Sequence, residues 1–315
     1  MVGDGPATET DRRRWIPGPR PGRVGWLFGR TAWTVYGAAF LFCVVSVIAL
    51  PGYRPHAGDF FFLHDPLASI AILAVVSFIL TGMHECFHWL AASAAGISAR
   101  FAISRRLYFL VFETDLTQLW SLPKRRRYGP LLAGIGFDAT ALAITIALRM
   151  MMNAGIISAA PVVHRLLAAI GVLLTMNVAW QFCIFLRNDL YLVISLALGC
   201  VNLWRVSMLE LKDRLWRLDD EERTELESAD DRDRKHARWY SWLCVAGVAA
   251  AAWFAIAIVA PAVWRTIWSL YHHLATSPPS GPGFWGAIVF GLLALLPNAL
   301  TVYVLVRDTA RRRAA

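Results

Sequence analysis

Apolar residues gather along the chain into long uncharged runs separated by basic or turn-rich segments. After thirty mostly polar residues, a first run extends from Thr31 to Leu50 and stops at Pro51-Gly52. The second, Leu67 to Gly96, is apolar except for His84, Glu85 and His88. A third, Leu131 to Leu148, is interrupted by Asp138. The fourth, Leu166 to Leu186, is uncharged, and beyond Arg187-Asn188-Asp189 a shorter run continues from Leu190 to Trp204. The last two, Tyr240 to Val263 and Phe284 to Val306, are joined by a short loop that contains SPPSGPG, and Pro297 is placed to kink the final helix. A helix rises about 1.5 Å per residue, so about 20 apolar residues cross a hydrocarbon layer of about 30 Å. The pattern therefore predicts an all-α polytopic membrane protein with about six transmembrane helices. Leu190 to Trp204, about 22 Å long as a helix, is short for a seventh.

Two of the intervening segments have a pattern of their own. From Ala99 to Asp115 the text ARFAISRRLYFLVFETD is rich in aromatic and β-branched residues and partly alternates, which predicts a small strand-like element after the second helix. From Arg205 to Tyr240 the chain is densely charged, with Met208, Leu211, Leu215 and Leu218 at helical spacing. That fits an amphipathic helix lying on a surface, and equally a solvated helical linker. The expected organisation is an N-terminal segment 1–30, a transmembrane core 31–204, a charged helical segment 205–239, a transmembrane helix pair 240–306 and a basic tail 307–315.

Composition supports this reading. With 57% apolar and 17% charged residues, a disordered or nucleic-acid-coating chain is excluded. The net charge of +9 falls between the apolar runs, where basic residues set topology rather than recruit nucleic acid. If the chain crosses six times, segments 1–30, 97–128, 205–239 and 307–315 hold 26 Lys and Arg, against four in segments 51–66, 149–165 and 264–283. The positive-inside rule then places both termini on the cytoplasmic side of the cell membrane. Trp26, Trp33, Trp242, Trp264, Trp268 and Trp285 lie near run ends, as an interfacial aromatic belt requires. No cleaved signal peptide is expected, because the first run starts far from the terminus and lacks a small-residue cleavage site. The five cysteines lie in apolar stretches without CxxC spacing, so neither a disulfide framework nor a cysteine zinc site is indicated.

His84-Glu85-Cys86-Phe87-His88 is an HExxH motif inside the second run. Residues four apart share a helix face, so both imidazoles can bind one zinc ion while Glu85 reaches an activated water. Ionisable groups inside a membrane helix are costly and mark function or a polar partner. The plain alternative is a pair of histidines that hydrogen-bond to neighbouring helices. Hydrolytic zinc takes three protein ligands and a water, so a third ligand is required. Asp189, at a charged break between apolar runs, is the leading candidate, since irregular backbone at membrane depth is tolerated only beside a cavity or site. Asp138 is the rival, as a ligand or as a partner that orients a histidine.

HExxH in one transmembrane segment, followed about a hundred residues later by Asp189 at a broken helix, resembles the site-2 protease family of intramembrane zinc metalloproteases. The likeness extends from about residue 67 to residue 205 and is closest to the family's bacterial peptide zinc metalloprotease branch, whose FLRxDxYxxL phrase corresponds here to Phe185-Leu186-Arg187-Asn188-Asp189-Leu190-Tyr191-Leu192-Val193. The chain departs from the family in having Leu190 where Gly commonly follows the ligand Asp, and in lacking an Asn-Pro pair upstream; Gln181 stands near the place of that Asn. The resemblance implies a zinc endopeptidase with His84, His88 and Asp189 as ligands and Glu85 as general base. Asp138 and Gln181 would serve as supporting or substrate-binding groups, with a membrane-embedded or membrane-delivered peptide as substrate and the bilayer as surroundings. A second reading takes the third ligand from Glu225 or Glu227. A third makes the chain a non-catalytic membrane protein, such as a transporter subunit, sensor or peptide chaperone, with a structural zinc site or none.

Overall fold

The computed structural model describes residues 16–17, 19–97, 100–106, 109–115, 117–254, 256–257 and 260–276, with isolated positions between 278 and 291. The chain folds as two compact units, one of residues 1–176 with 267–315 and one of residues 177–266. The described residues are mainly helical, with one small sheet.

In the first unit, α1 (Arg30–Ala49), α2 (Pro66–Ala94), α3 (Lys124–Asn153) and α4 (Pro161–Gln181, whose last turn belongs to the second unit) are each long and apolar enough to cross a membrane. They cover the first four apolar runs. α3 packs against both α1 and α2. Half of its most apolar stretch is buried, against 11% in α1 and α2, so it is the central helix. Cys43 of α1, Leu142 and Ile146 of α3 and Leu174 of α4 form one buried cluster, and Phe62, Leu73 and Ala169 form another. Val35, Leu41, Val45 and Ile48 of α1 and Val75 and Ile79 of α2 stay exposed. Apolar faces of that extent suit a hydrocarbon solvent, and with the four long helices they mark the chain as a membrane protein.

Between α2 and α3, β2 (Arg100–Arg106) and β3 (Phe109–Asp115) pair antiparallel within the segment expected to be strand-like, with Arg100 opposite Asp115 and Arg106 opposite Phe109. Residues Ile16–Pro17, β1, add a short antiparallel edge to β2.

In the second unit, the chain leaves α4 at Gln181 and passes through a 3-10 turn, Ile184–Leu186, into α5 (Asp189–Leu198). α6 (Leu203–Leu215) follows, bent by 87° from α5, so the two make at most one broken or re-entrant span. Gly199 closes α5 at φ 74°, where a Cβ would be strained. The buried Asp233 carboxylate then accepts from the backbone N–H groups of Val201 (3.2 Å) and Asn202 (3.0 Å), which pairs donors left open by the bend.

α7 (Asp220–Glu227) and α8 (Asp231–Phe254) complete the unit. The charged segment keeps part of the expected stripe, with Leu218 buried and Met208 and Leu211 half-buried, but Leu215 is exposed and the burial begins earlier, at Leu203, Val206, Ser207 and Leu209. The reason is tertiary, since α6 packs along α8 and neither lies alone on a surface. α8 also runs through the expected boundary at 239/240. α9 (Ala260–Thr276) follows. The expected crossing from Phe284 to Val306 lies almost wholly outside the described residues. Among the described residues, four or five spans are present rather than a demonstrated six.

Candidate metal centre

His84 and His88 are buried, on the face of α2 that meets α3. α3 presents Pro130, Gly134 and Asp138 there, four residues apart and therefore on one face. The two helices run antiparallel with matched spacing. His84 Nδ1 lies 2.8 Å from Asp138 Oδ2, and His88 Nδ1 lies 2.7 Å from the Pro130 carbonyl oxygen.

These contacts fix the tautomers. A carbonyl oxygen only accepts, so His88 carries its proton on Nδ1 and donates it to Pro130; the Asp138 carboxylate requires the same of His84. In the neutral rings both Nε2 atoms then hold lone pairs, and they face one another at 3.1 Å. Two lone pairs so placed need a cation between or beside them, either a proton shared by the rings or a metal ion. The separation is close to the roughly 3.3 Å that tetrahedral zinc sets between two imidazole nitrogens. The donor set present therefore fits a metal ion.

Gly134 makes the approach possible. A Cβ built there would stand 2.5 Å from His88 Nε2 and would also overlap the His84 ring. Gly136, two residues on and on the opposite face of α3, gives the same clearance to Tyr36 of α1, whose ring would lie 3.2 Å from an added Cβ. The sequence GIG thus admits a neighbour on each side of the central helix.

Asp138 is fully buried. Its Oδ2 serves His84, while Oδ1 has no hydrogen-bond partner among the described residues. A carboxylate held this way fixes the ring orientation and strengthens Nε2 as a donor. Glu85, half-buried, lies one residue along α2 from His84. The Thr114 hydroxyl of β3 lies 3.0 Å from the Glu85 carbonyl oxygen and 3.1 Å from its Oε2, and so ties the sheet to the motif.

In the second unit, Asp189 opens α5. Arg187 adopts a left-handed conformation, φ 58°, which is uncommon for a residue other than glycine, and its guanidinium lies over the Trp204 ring at 4.8 Å. Asn188 then joins the two broken ends. Its Oδ1 accepts from Tyr191 N at 3.2 Å, while its Nδ2 donates to the carbonyls of Trp180 (2.7 Å) and Cys183 (3.2 Å). One side chain thus caps the new helix and pairs carbonyls released by the old one. Tyr240 fixes the turn from outside by donating to the Ile184 carbonyl at 2.9 Å. Gln181, the last residue of α4, is buried with its Oε1 unpartnered among the described residues.

Glu225, the rival ligand, is engaged elsewhere. Arg205 donates to it through Nε at 3.0 and 3.1 Å and through Nη2 at 2.7 Å, a bidentate pairing. That hydrogen-bonded guanidinium holds the Glu225 carboxyl below the usual carboxylate range. His84 and His88 of the first unit and Asp189 of the second are each of a residue type that ligates metal ions.

Sequence reasoning had no role for Pro130, Gly134, Thr114 or Asn188. The four-residue spacing from Pro130 through Gly134 to Asp138 is a readable signal for the first two; a strand residue that meets Glu85 across the chain has none.

Compared with known proteins, the chain matches no family model, no curated protein and no solved structure.

Proposed function

We propose that the protein is a zinc-dependent intramembrane endopeptidase that cleaves a membrane-embedded or membrane-delivered peptide. The observation that carries the reading is the pair of buried Nε2 atoms, 3.1 Å apart, on an HExxH helix of membrane-spanning length. A histidine pair sharing one proton also satisfies the facing Nε2 atoms, but it gives no role to Glu85 beside them, which the zinc reading does.

In this reading His84, His88 and Asp189 are the protein ligands, and Glu85 stands beside them as base. Zinc held there supplies a Lewis acid that lowers the pKa of a water and polarises the scissile carbonyl. Glu85 takes the proton of the attacking water and returns it to the leaving amine. Asp138 and the Pro130 carbonyl keep both rings in the tautomer that offers Nε2. Thr114 holds Glu85 against β3, so a peptide paired along the sheet would lie close to the base. The buried Gln181 amide is a candidate donor to the substrate carbonyl as charge develops on it. The positive-inside rule applied to the basic loops supports a site near the cytoplasmic side, in a cell-membrane protein with both termini inside.

The test is Glu85→Gln in the purified full-length protein, reconstituted with a library of single-span peptides and read by mass spectrometry of the products. The expected result is retained zinc with cleavage reduced by a factor of roughly 100 or more. Zinc retained in both proteins with no zinc-dependent cleavage by the wild type would make the metal structural and refute the enzyme reading.

A further inference from the structure

A cleft of about 300 Å³ lies in the first unit against the first two turns of α3, lined by Gly25, Phe28, Trp33, Ala91, Arg125, Arg126 and neighbouring small residues. We propose that it binds the phosphate headgroup of an anionic phospholipid. Three observations support this, and none depends on the metal centre or on peptidase activity.

The first is charge. α3 begins Lys124-Arg125-Arg126-Arg127 with no acidic residue in its first turn, although the helix dipole favours acids there and disfavours bases. Arg127 has a local explanation: it donates to the carbonyls of Leu122 (2.7 Å) and Trp120 (2.8 Å) and lies over the Trp120 ring. Arg125 and Arg126 are exposed, line the cleft and make no side-chain hydrogen bond or ion pair among the described residues. No acidic residue lines the cleft either. Two arginines on the lining of a pocket without an acidic residue suit a phosphate, which a guanidinium can grip through two N–H groups.

The second is shape. Ala91, Ala94 and Ala95 of α2 and Gly129 and Pro130 of α3 leave room behind the arginines, and Phe28 and Trp33 give an apolar flank. A headgroup with its glycerol and first acyl carbons has this mixed character, whereas a free anion has no use for the apolar part.

The third is position. α1 starts at Arg30, α2 ends at Ala94 and α3 starts at Lys124, so the cleft is at one end of three membrane-length helices. Trp26 and Trp120, both more than half exposed, stand at the same chain ends, as aromatic residues do at the headgroup level.

The experiment titrates dioleoyl-phosphatidylglycerol or dioleoyl-phosphatidylcholine into the detergent-solubilised full chain and counts bound lipid by native mass spectrometry. The wild type should retain phosphatidylglycerol in preference to phosphatidylcholine. Arg125→Gln/Arg126→Gln should weaken phosphatidylglycerol retention by about 25-fold, or about 5-fold per arginine near the surface. Arg311→Gln/Arg312→Gln, which removes the same charge from the tail, should change it less than about 2-fold. Ala94→Phe, which fills the cleft and leaves both arginines, should also abolish the preference. The proposal is overturned if the two double variants lose lipid equally, if Ala94→Phe retains it, or if millimolar inorganic phosphate displaces it.

Discussion

A methyl group on Gly134 would stand 2.5 Å from Nε2 of His88, so the absence of a side chain at one position of α3 is what lets two histidines of α2 face each other. Packing and prospective metal chemistry meet there. The first prediction follows directly. Gly134→Ala should weaken zinc binding by more than the roughly 10- to 100-fold cost of removing an outer partner of a ligand. Alanine is the better helix former by about 1 kcal/mol, which offsets part of the roughly 1–3 kcal/mol that overpacking this contact costs, so a melting curve of the variant should show at most a modest loss of stability. Metal analysis of the purified variant checks this, and full zinc occupancy would show that the Nε2 atoms are not the donors.

Asp138→Asn keeps the shape of the side chain and removes its charge. With the charge gone, His84 keeps at most a neutral amide oxygen as acceptor, a weaker partner whose NH2 end can turn to the ring instead, and zinc affinity should fall by roughly 10- to 100-fold without disappearing. Competition with a chelator of known affinity measures the change. Complete loss would instead identify Asp138 as a ligand in its own right.

Asp189 and Glu225 should behave differently. Asp189→Ala removes a proposed ligand and should abolish both zinc and cleavage. Glu225→Ala should leave zinc intact, because that carboxylate is committed to Arg205. Its cost in stability should be at most about 1 kcal/mol, since the pair is partly exposed. The folded-state pKa of Glu225 is lowered, so the pair's contribution is present above the ordinary carboxylate pKa and is lost as pH falls through the folded value. Zinc loss in Glu225→Ala with retention in Asp189→Ala would reverse the assignment.

The arrangement in the membrane can be checked with reporter fusions after Val306 and within 264–283. The 26-to-4 division of basic residues between alternate loops predicts a cytoplasmic reporter after Val306 and an outer one within 264–283. An outer C-terminus would mean that the bent pair α5 and α6 completes a crossing of its own.

What the sequence determined by itself is what depends on near neighbours in the chain. Uncharged runs of about 20 residues give the spanning helices, and a spacing of four puts His84 and His88 on one face. The charged interruption at Arg187-Asn188-Asp189 announced a break in the helix, but not that Asn188 would pair both of its ends. Periodicity within one helix does not contain its rotation about its own axis or its register against another helix. Whether Pro130, Gly134 and Asp138 meet His88 and His84, or point into lipid, depends on how α2 and α3 pack, and a rotation of half a turn would separate all five. The same limit explains the stripe of α6, where the buried residues begin at Leu203 because α8 lies alongside. Only the tertiary structure could decide these contacts, because each is a meeting of side chains from elements far apart in sequence and is settled by shape, such as the missing Cβ of Gly134, rather than by local hydrophobicity.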